Sequence, residues 1–236
     1  MPPLVHVANL GKRFGALTAL DNVSLAVRPG EAVALLGANG AGKTTLLRIV
    51  ATLLRPSRGQ ATVAGIDCVR DAEGVRPLIA FVGHGSHLYE DLTARENLRF
   101  WTALAGQAMA GDAIDGALAA VDLDRAGDER VRTFSAGMKR RLSLARLLLG
   151  RPRALLLDEP FASLDQRAKK WLTEHLLAFK AAGGAIVTTT HSFGRELEVA
   201  DRVAILAEGR VALDASRADV ADELPRLYAL HAEAEA

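Results

Sequence analysis

The chain has 236 residues, half of them hydrophobic, which suffices for one generous domain with a sizeable core. Its 29 basic and 28 acidic residues leave a formal net charge of +1, which argues against a dedicated nucleic-acid binder and against an acidic disordered regulator. The single cysteine, Cys68, excludes an intramolecular disulfide framework and a cysteine-cluster zinc site, and fits a reducing compartment.

In chain order, Leu4 to Leu10 alternates roughly, and Val23, Leu25 and Val27 recur at period two, so the opening reads as β structure. Arg28-Pro29-Gly30-Glu31 makes a turn. Ala32 to Leu36 is a continuous apolar run of strand length, as in a strand buried on both faces. A glycine-rich loop follows, then a helical pattern from Lys43 to about Leu54, broken by Pro56-Ser57-Arg58-Gly59. Residues 79–84 read as another buried strand. From Thr93 to about Arg151 the period turns helical: Leu98, Trp101, Thr102 and Ala105 share one face, and Met138, Leu142, Ala145 and Leu149 another. Strands return at Ala154 to Leu157, Ala185 to Thr190 and Val203 to Leu206, with a helix around Ala168 to Ala181. Buried strands alternating with helices predict an α/β fold with a largely parallel sheet. The block 86–151, helical and strand-free, reads as an insertion, and the Ala- and acid-rich tail from Asp214 as helical.

A spanning helix needs roughly 18 apolar residues. The most apolar runs here, Leu142 to Leu149 and Ala154 to Leu157, are far shorter, and the first carries Ser143 and Arg146. The N-terminus also lacks the basic start and apolar stretch of a secretory signal. The expectation is a soluble, cytoplasmic chain whose membrane span, if its role needs one, comes from another polypeptide.

Gly37-Ala38-Asn39-Gly40-Ala41-Gly42-Lys43-Thr44-Thr45 matches the phosphate-binding P-loop, glycine, four residues, then Gly-Lys-Ser/Thr. Glycines let the loop curl so that successive N–H groups point at a phosphate, and the following helix adds the positive end of its dipole. Lys43 can reach the β- and γ-phosphates, Thr44 can bind Mg²⁺, and Thr45 can hold a further phosphate oxygen. Chance alone would place these fixed residues in about one chain in a hundred or fewer. Ala154 to Leu157 then ends in Asp158-Glu159. A carboxylate at the carboxyl end of a buried strand sits where such sheets bind ligands. Asp158 is positioned to hold Mg²⁺, and Glu159 is the candidate base for the water that attacks the γ-phosphate. Alone, an acid at a strand end is also an ordinary turn residue; beside a P-loop that reading recedes.

Two more segments go further. Thr133-Phe134-Ser135-Ala136-Gly137-Met138-Lys139-Arg140-Arg141 opens a periodic helix, with Ser135 as its N-cap. Ser163-Leu164-Asp165 follows the acid pair, and Thr190-His191-Ser192 closes a later strand. Each alone is bland: a helix start, a loop, a polar residue after a strand. Their joint order resembles the ATP-binding cassette family across nearly the whole chain. Ser135-Ala136-Gly137 is similar to that family's signature, usually Leu-Ser-Gly-Gly-Gln, from which Phe134, Ala136 and Met138 depart.

The resemblance implies an α/β P-loop NTPase: a RecA-like core with a parallel sheet, an N-terminal antiparallel β subdomain and an inserted α-helical signature subdomain. It implies one domain, with the core at about 1–85 and 152–213, the helical part at about 86–151 and a helical tail at 214–236. It implies ATP and Mg²⁺ as ligands, with Gly37, Asn39, Gly40, Gly42, Lys43, Thr44 and Thr45 as the phosphate cradle and Phe14 stacked on adenine. Ser135 and Gly137 would act on the nucleotide of a second copy, in an ATP-bound homodimer. Asp165 would line the dimer interface, and His191 would contact the γ-phosphate. His84 stands where the family usually has a Mg²⁺-sensing glutamine, and imidazole can still make a water-mediated contact.

The resemblance also implies integral membrane permease partners and a place at the cytoplasmic face of the membrane. Val82-Gly83-His84, Leu92 to Phe100 and the helix from Lys139 to Arg146 are similar to the ATPase of the haem exporter of cytochrome c maturation. Another exporter class, for a drug, lipid or polysaccharide, is the alternative. A soluble family member acting on DNA or ribosomes is disfavoured by the single cassette, the absence of heptads and the balanced charge. Glu159 argues against a nucleotide sensor without hydrolysis.

Overall fold

The computed structural model describes residues 1–85, 87–104, 111–191, 193–194 and 197–232. The chain divides into two compact units, Met1–Phe81 with Pro152–Glu159 and His175–Ala236, and Val82–Arg151 with Pro160–Glu174.

The first unit holds two sheets. In the smaller, β1 (Val5–Phe14) pairs antiparallel with β2 (Leu17–Val27) and with β4 (Arg58–Val63), which continues into β5 (Ile66–Asp67). Alternation sets its inner face: Val23, Leu25 and Val27 are buried while Ser24 and Ala26 between them are exposed. The larger sheet runs β10-β9-β3-β8-β7-β6, from β10 (Arg210–Ser216), β9 (Arg202–Ala207), β3 (Ala32–Leu36), β8 (Ala185–Thr189), β7 (Ala154–Asp158) and β6 (Ile79–Val82). β3 is parallel to β8 and β9, and β7 to β8; β10 is an antiparallel edge on β9. Every residue of β3, β7 and β8 is buried, because both faces are covered. Val33 and Leu35 face a core shared with α1 (Lys43–Val50) and the small sheet, while Ala34 and Leu36 face Leu224 and Tyr228 of α8 (Leu224–Ala232).

Three departures from sequence patterning have local causes. The helix α1 ends at Val50, not near Leu54. Thr52 takes φ 63, Leu53 N–H donates to Arg48 O at 2.9 Å and Thr52 N–H to Ile49 O at 3.0 Å, a Schellman stop made without glycine. The tail is not helical from Asp214: β10 runs through it, with Val211, Leu213 and Ala215 alternating against more exposed neighbours, before α7 (Arg217–Val220) and α8 begin. The stretch after Pro56 carries β4, β5 and the short α2 (Ala72–Val75), none of which the apolar pattern announces.

The second unit is helical among its described residues: α3 (Ala94–Leu104), α4 (Gly111–Ala120), α5 (Ala136–Ala145) and the start of α6 (Gln166–Ala181), plus short 3-10 turns. One isolated bridge joins Thr93 to Arg130. Leu98, Ile114, Leu118, Val131, Leu142 and Ala145 form its core. Of the face expected on α3, Leu98 and Thr102 are buried and Trp101 half-buried; Ala105 lies outside the described residues. Thr93 and Glu96 exchange a capping box at the head of α3, N–H to carboxylate at 2.8 Å and N–H to hydroxyl at 3.1 Å. No helix among the described residues is long and apolar enough to cross a membrane.

Candidate nucleotide site

The loop from Gly37 to Gly42 joins the buried strand β3 to α1. Gly42 sits at φ +104, and a Cβ there would come within 2.5 Å of Ala19 O and 2.7 Å of Leu20 Cδ2, so only glycine fits. The first N–H groups of a helix have no partner within the helix. No acidic side chain occupies the first turn of α1, so its positive end is open to an anion. Lys43 is buried and folds back over the loop, donating to Gly37 O at 2.6 Å and Ala38 O at 2.9 Å. Burial lowers the Lys43 pKa, and the charges of Glu159 and Asp158 oppose that shift. Thr44 and Thr45 are half-buried, and Asn39 and Gly40 are exposed at the tip.

Across from the loop, β7 delivers Asp158, which is buried. Its Oδ2 accepts from Thr44 Oγ1 at 2.8 Å and its Oδ1 from Thr189 Oγ1 at 2.7 Å. The same Thr189 oxygen accepts from Glu159 N–H at 2.9 Å. Glu159 adopts φ 48, a left-handed conformation that costs a non-glycine residue on the order of 1 kcal/mol or more. Its Oε1 lies 3.4 Å from Nδ1 of the largely exposed His191. Lys43, Thr44, Asp158, Glu159 and His191 thus converge in one unit. Phe14 closes β1 with nearly half its surface exposed, so it is not core, and Lys12 Nζ stands 4.9 Å from its ring centroid.

Ser135, Gly137, Asp165 and His84 belong to the second unit. Ser135 caps α5, its Oγ accepting from Met138 N–H at 3.2 Å. A Cβ on Gly137 would meet Ser163 O at 3.2 Å, so the head of α5 lies against the Ser163 backbone. Asp165 Oδ1 accepts from Ala168 N–H at 2.8 Å at the start of α6. His84 is exposed, and the loop before it is held by buried Arg140, which donates to Gly83 O at 2.8 Å and Pro160 O at 3.2 Å.

This arrangement, a strand, a glycine loop on a helix start and paired acids at the next strand's end, is what phosphate chemistry needs. A family model described as "ABC transporter" matches residues 20–162, more than half of the chain. The chain belongs to the ATP-binding cassette family of ABC transporters. Among its relatives, a daunorubicin resistance ATP-binding protein of Streptomyces coeruleorubidus is 39% identical over 93% of this chain and 69% of its own length. A spermidine/putrescine import ATP-binding protein of Pseudomonas aeruginosa is 37% identical over 89% of this chain and 58% of its own. The cassette thus spans about two thirds of the first relative and less of the second. A solved ATP-binding subunit of an ABC transporter superposes with a TM-score of 0.84 at 31% identity, covering 94% of this chain and 93% of that one. A dimeric cassette in a post-hydrolysis state with ADP and Pi gives 0.82 at 26% identity, covering 90% and 98%.

The cassette's residues fit Mg²⁺. Thr44 Oγ1 and Asp158 Oδ2 bring two hard oxygen donors together. Among the described residues no group of three or more His, Cys, Asp or Glu could hold a metal. Thr44 and Asp158 would hold such a cation, and phosphate and water oxygens would complete its shell. One residue of the cassette's site escaped sequence reasoning. Thr189 joins both acids, yet its only sequence signal is a run of three threonines closing a strand.

Proposed function

We propose that this cassette is the ATP-hydrolysing subunit of an ABC exporter, held at the cytoplasmic face of a membrane by separate permease subunits. One observation carries the hydrolytic reading: Thr44, Asp158, Glu159 and His191 converge beside the phosphate loop. In this reading the chain is a single ATPase domain, with its core at about 1–85 and 152–213 and its helical part at about 86–151. Phe14 stacks on adenine. The loop amides and Lys43 hold the β- and γ-phosphates, Lys43 exchanging the Gly37 and Ala38 carbonyls for phosphate oxygens. Thr44 and Asp158 would hold Mg²⁺, which when bound neutralises charge on the phosphate oxygens.

Glu159 takes the proton of the water that attacks the γ-phosphorus, while the bond to the ADP oxygen breaks. His191 donates to a γ-phosphate oxygen, and His84 is the proposed counterpart of the glutamine that the family usually has at that place. Ser135 and Gly137 present the head of α5 to the nucleotide of a second copy, and Asp165 lies at the interface of that homodimer. Lys43→Ala should abolish ATP hydrolysis while circular dichroism stays native. Turnover persisting in that variant overturns the assignment of the loop.

Two observations bear on the cargo. The segments Val82 to His84 and Leu92 to Phe100 support haem export, or release of a haem chaperone, in cytochrome c maturation. The daunorubicin resistance relatives support the alternative, an exporter of a drug. We place the haem reading first because it rests on residues of this chain itself. Disrupting the gene in its source organism separates them. Loss of haem-stained c-type cytochromes with unchanged drug tolerance supports the first, and the reverse result the second.

A further inference from the structure

We infer that Thr189 is a positioning residue for hydrolysis: its hydroxyl fixes the Asp158 carboxylate and the Glu159 backbone together. The inference rests on the hydrolytic reading above and adds to it a residue outside the P-loop and the acid pair.

A threonine hydroxyl has one proton to give and lone pairs to accept with. The Thr189 proton is directed at Asp158 Oδ1, 2.7 Å away, and its oxygen receives Glu159 N–H at 2.9 Å. Both bonds come from one atom of a fully buried side chain, so they are held without competition from water. The first bond sets the plane of the Asp158 carboxylate. With Oδ1 engaged by Thr189, Oδ2 is turned to Thr44, 2.8 Å away, which is where a cation between them would be shared. The second bond holds the peptide that enters Glu159. That residue sits at φ 48, where a side chain is strained unless its surroundings hold it. Parallel pairing of Asp158 with Thr189 across β7 and β8 brings the hydroxyl level with the acid pair. β-Branching restricts its rotation about χ1.

The Glu159 carboxylate must meet a water within hydrogen-bond reach, and misplacement of about 1 Å can cost about a hundredfold in rate. Thr189 therefore acts through the two acids, and touches neither nucleotide nor water itself in this scheme.

Thr189→Val keeps the shape and removes the hydroxyl; Thr189→Ser keeps the hydroxyl and removes the methyl. Thr189→Val should lower kcat about tenfold to a hundredfold with KM for ATP changed less than about threefold, while Thr189→Ser stays within about threefold of the parent. Equilibrium binding of a fluorescent ATP analogue gives a readout apart from turnover. In EDTA the Val variant should bind as the parent does, and with Mg²⁺ added its gain in affinity should be smaller. Should Thr189→Val not fold, Thr189→Ala set against Thr189→Ser carries the same comparison.

A Val variant that hydrolyses within twofold of the parent, or a Ser variant as impaired as the Val one, overturns the role of the hydroxyl. Glu159→Gln is run in parallel. If it hydrolyses like the parent, the hydrolytic reading itself fails. If it is inactive while Thr189→Val is not, only the inference about Thr189 fails.

Discussion

Burial decides what the one thiol of this cassette can do. Cys68 is buried, and that burial pushes its pKa up to about 12. Since the thiolate is the reactive form, the native chain should react with a disulfide reagent at pH 8 about a thousandfold or more slowly than an exposed thiol. Addition of denaturant should bring one fast equivalent, so Cys68 serves as a reporter of unfolding. Fast labelling of the native chain would contradict its placement. The same scale shows what the sequence discloses. Lys43, Thr44, Asp158 and Glu159 are legible because each sits in a short contiguous pattern whose chemistry needs neighbours along the chain. Thr189 and Thr52 are not. The first works through a contact across two strands, and the second stops a helix in a conformation usually left to glycine.

At the level of elements, the turn between β9 and β10 braces the phosphate loop. Gly209 N–H donates to Ala41 O at 3.2 Å, and Gly209 O accepts from Asp21 N–H at 2.8 Å. Gly209 sits at φ +74, and a Cβ there would lie 2.8 Å from Ala19 O and 3.0 Å from Leu20 Cα. Backbone atoms cannot swing aside as a side chain can. Gly209→Ala should therefore destabilise the cassette by about 1–3 kcal/mol in urea unfolding. It should also weaken ATP binding, because the displaced turn leaves Ala41 without its donor. A stable variant with unchanged affinity would show that the brace is unimportant. At the head of α5, Ser135→Ala should cost about 1 kcal/mol through the lost cap, quite apart from any effect on nucleotide. Here too the sequence discloses some elements and hides others. β3 and β7 are unbroken apolar runs and read directly as buried strands. β10 is an edge strand in which Ala212, Leu213 and Ala215, good helix formers, outnumber the one β-branched residue, Val211, so its composition resembles a helix; pairing with β9 makes it a strand.

For the molecule as a whole, the proposed chemistry is incomplete in one copy. The phosphate cradle, both acids and His191 lie in one compact unit, while Ser135 and Gly137 head a helix in the other. If that helix serves the nucleotide of a second copy, two chains share two equivalent sites and closure depends on ATP. Glu159→Gln keeps the size and hydrogen bonding of the side chain but removes its basicity, so ATP should persist and the dimer should accumulate. Light scattering after size exclusion should give twice the monomer mass with ATP and the monomer mass with ADP; a variant that stays monomeric at saturating ATP contradicts the shared site. A mixing experiment tests the sharing itself. In a dimer of one Lys43→Ala chain and one Ser135→Arg chain, both lesions fall on the same site and the other site is intact. Random pairing makes about half the dimers mixed, each with one working site of two, so mixing two inactive preparations should restore about a quarter of the parent rate. A chain carrying both lesions, mixed with parent, spreads them over both sites of every mixed dimer and should rescue nothing in those dimers. Recovery in the first mixture, with no contribution from mixed dimers in the second, assigns the two halves of each site to different chains.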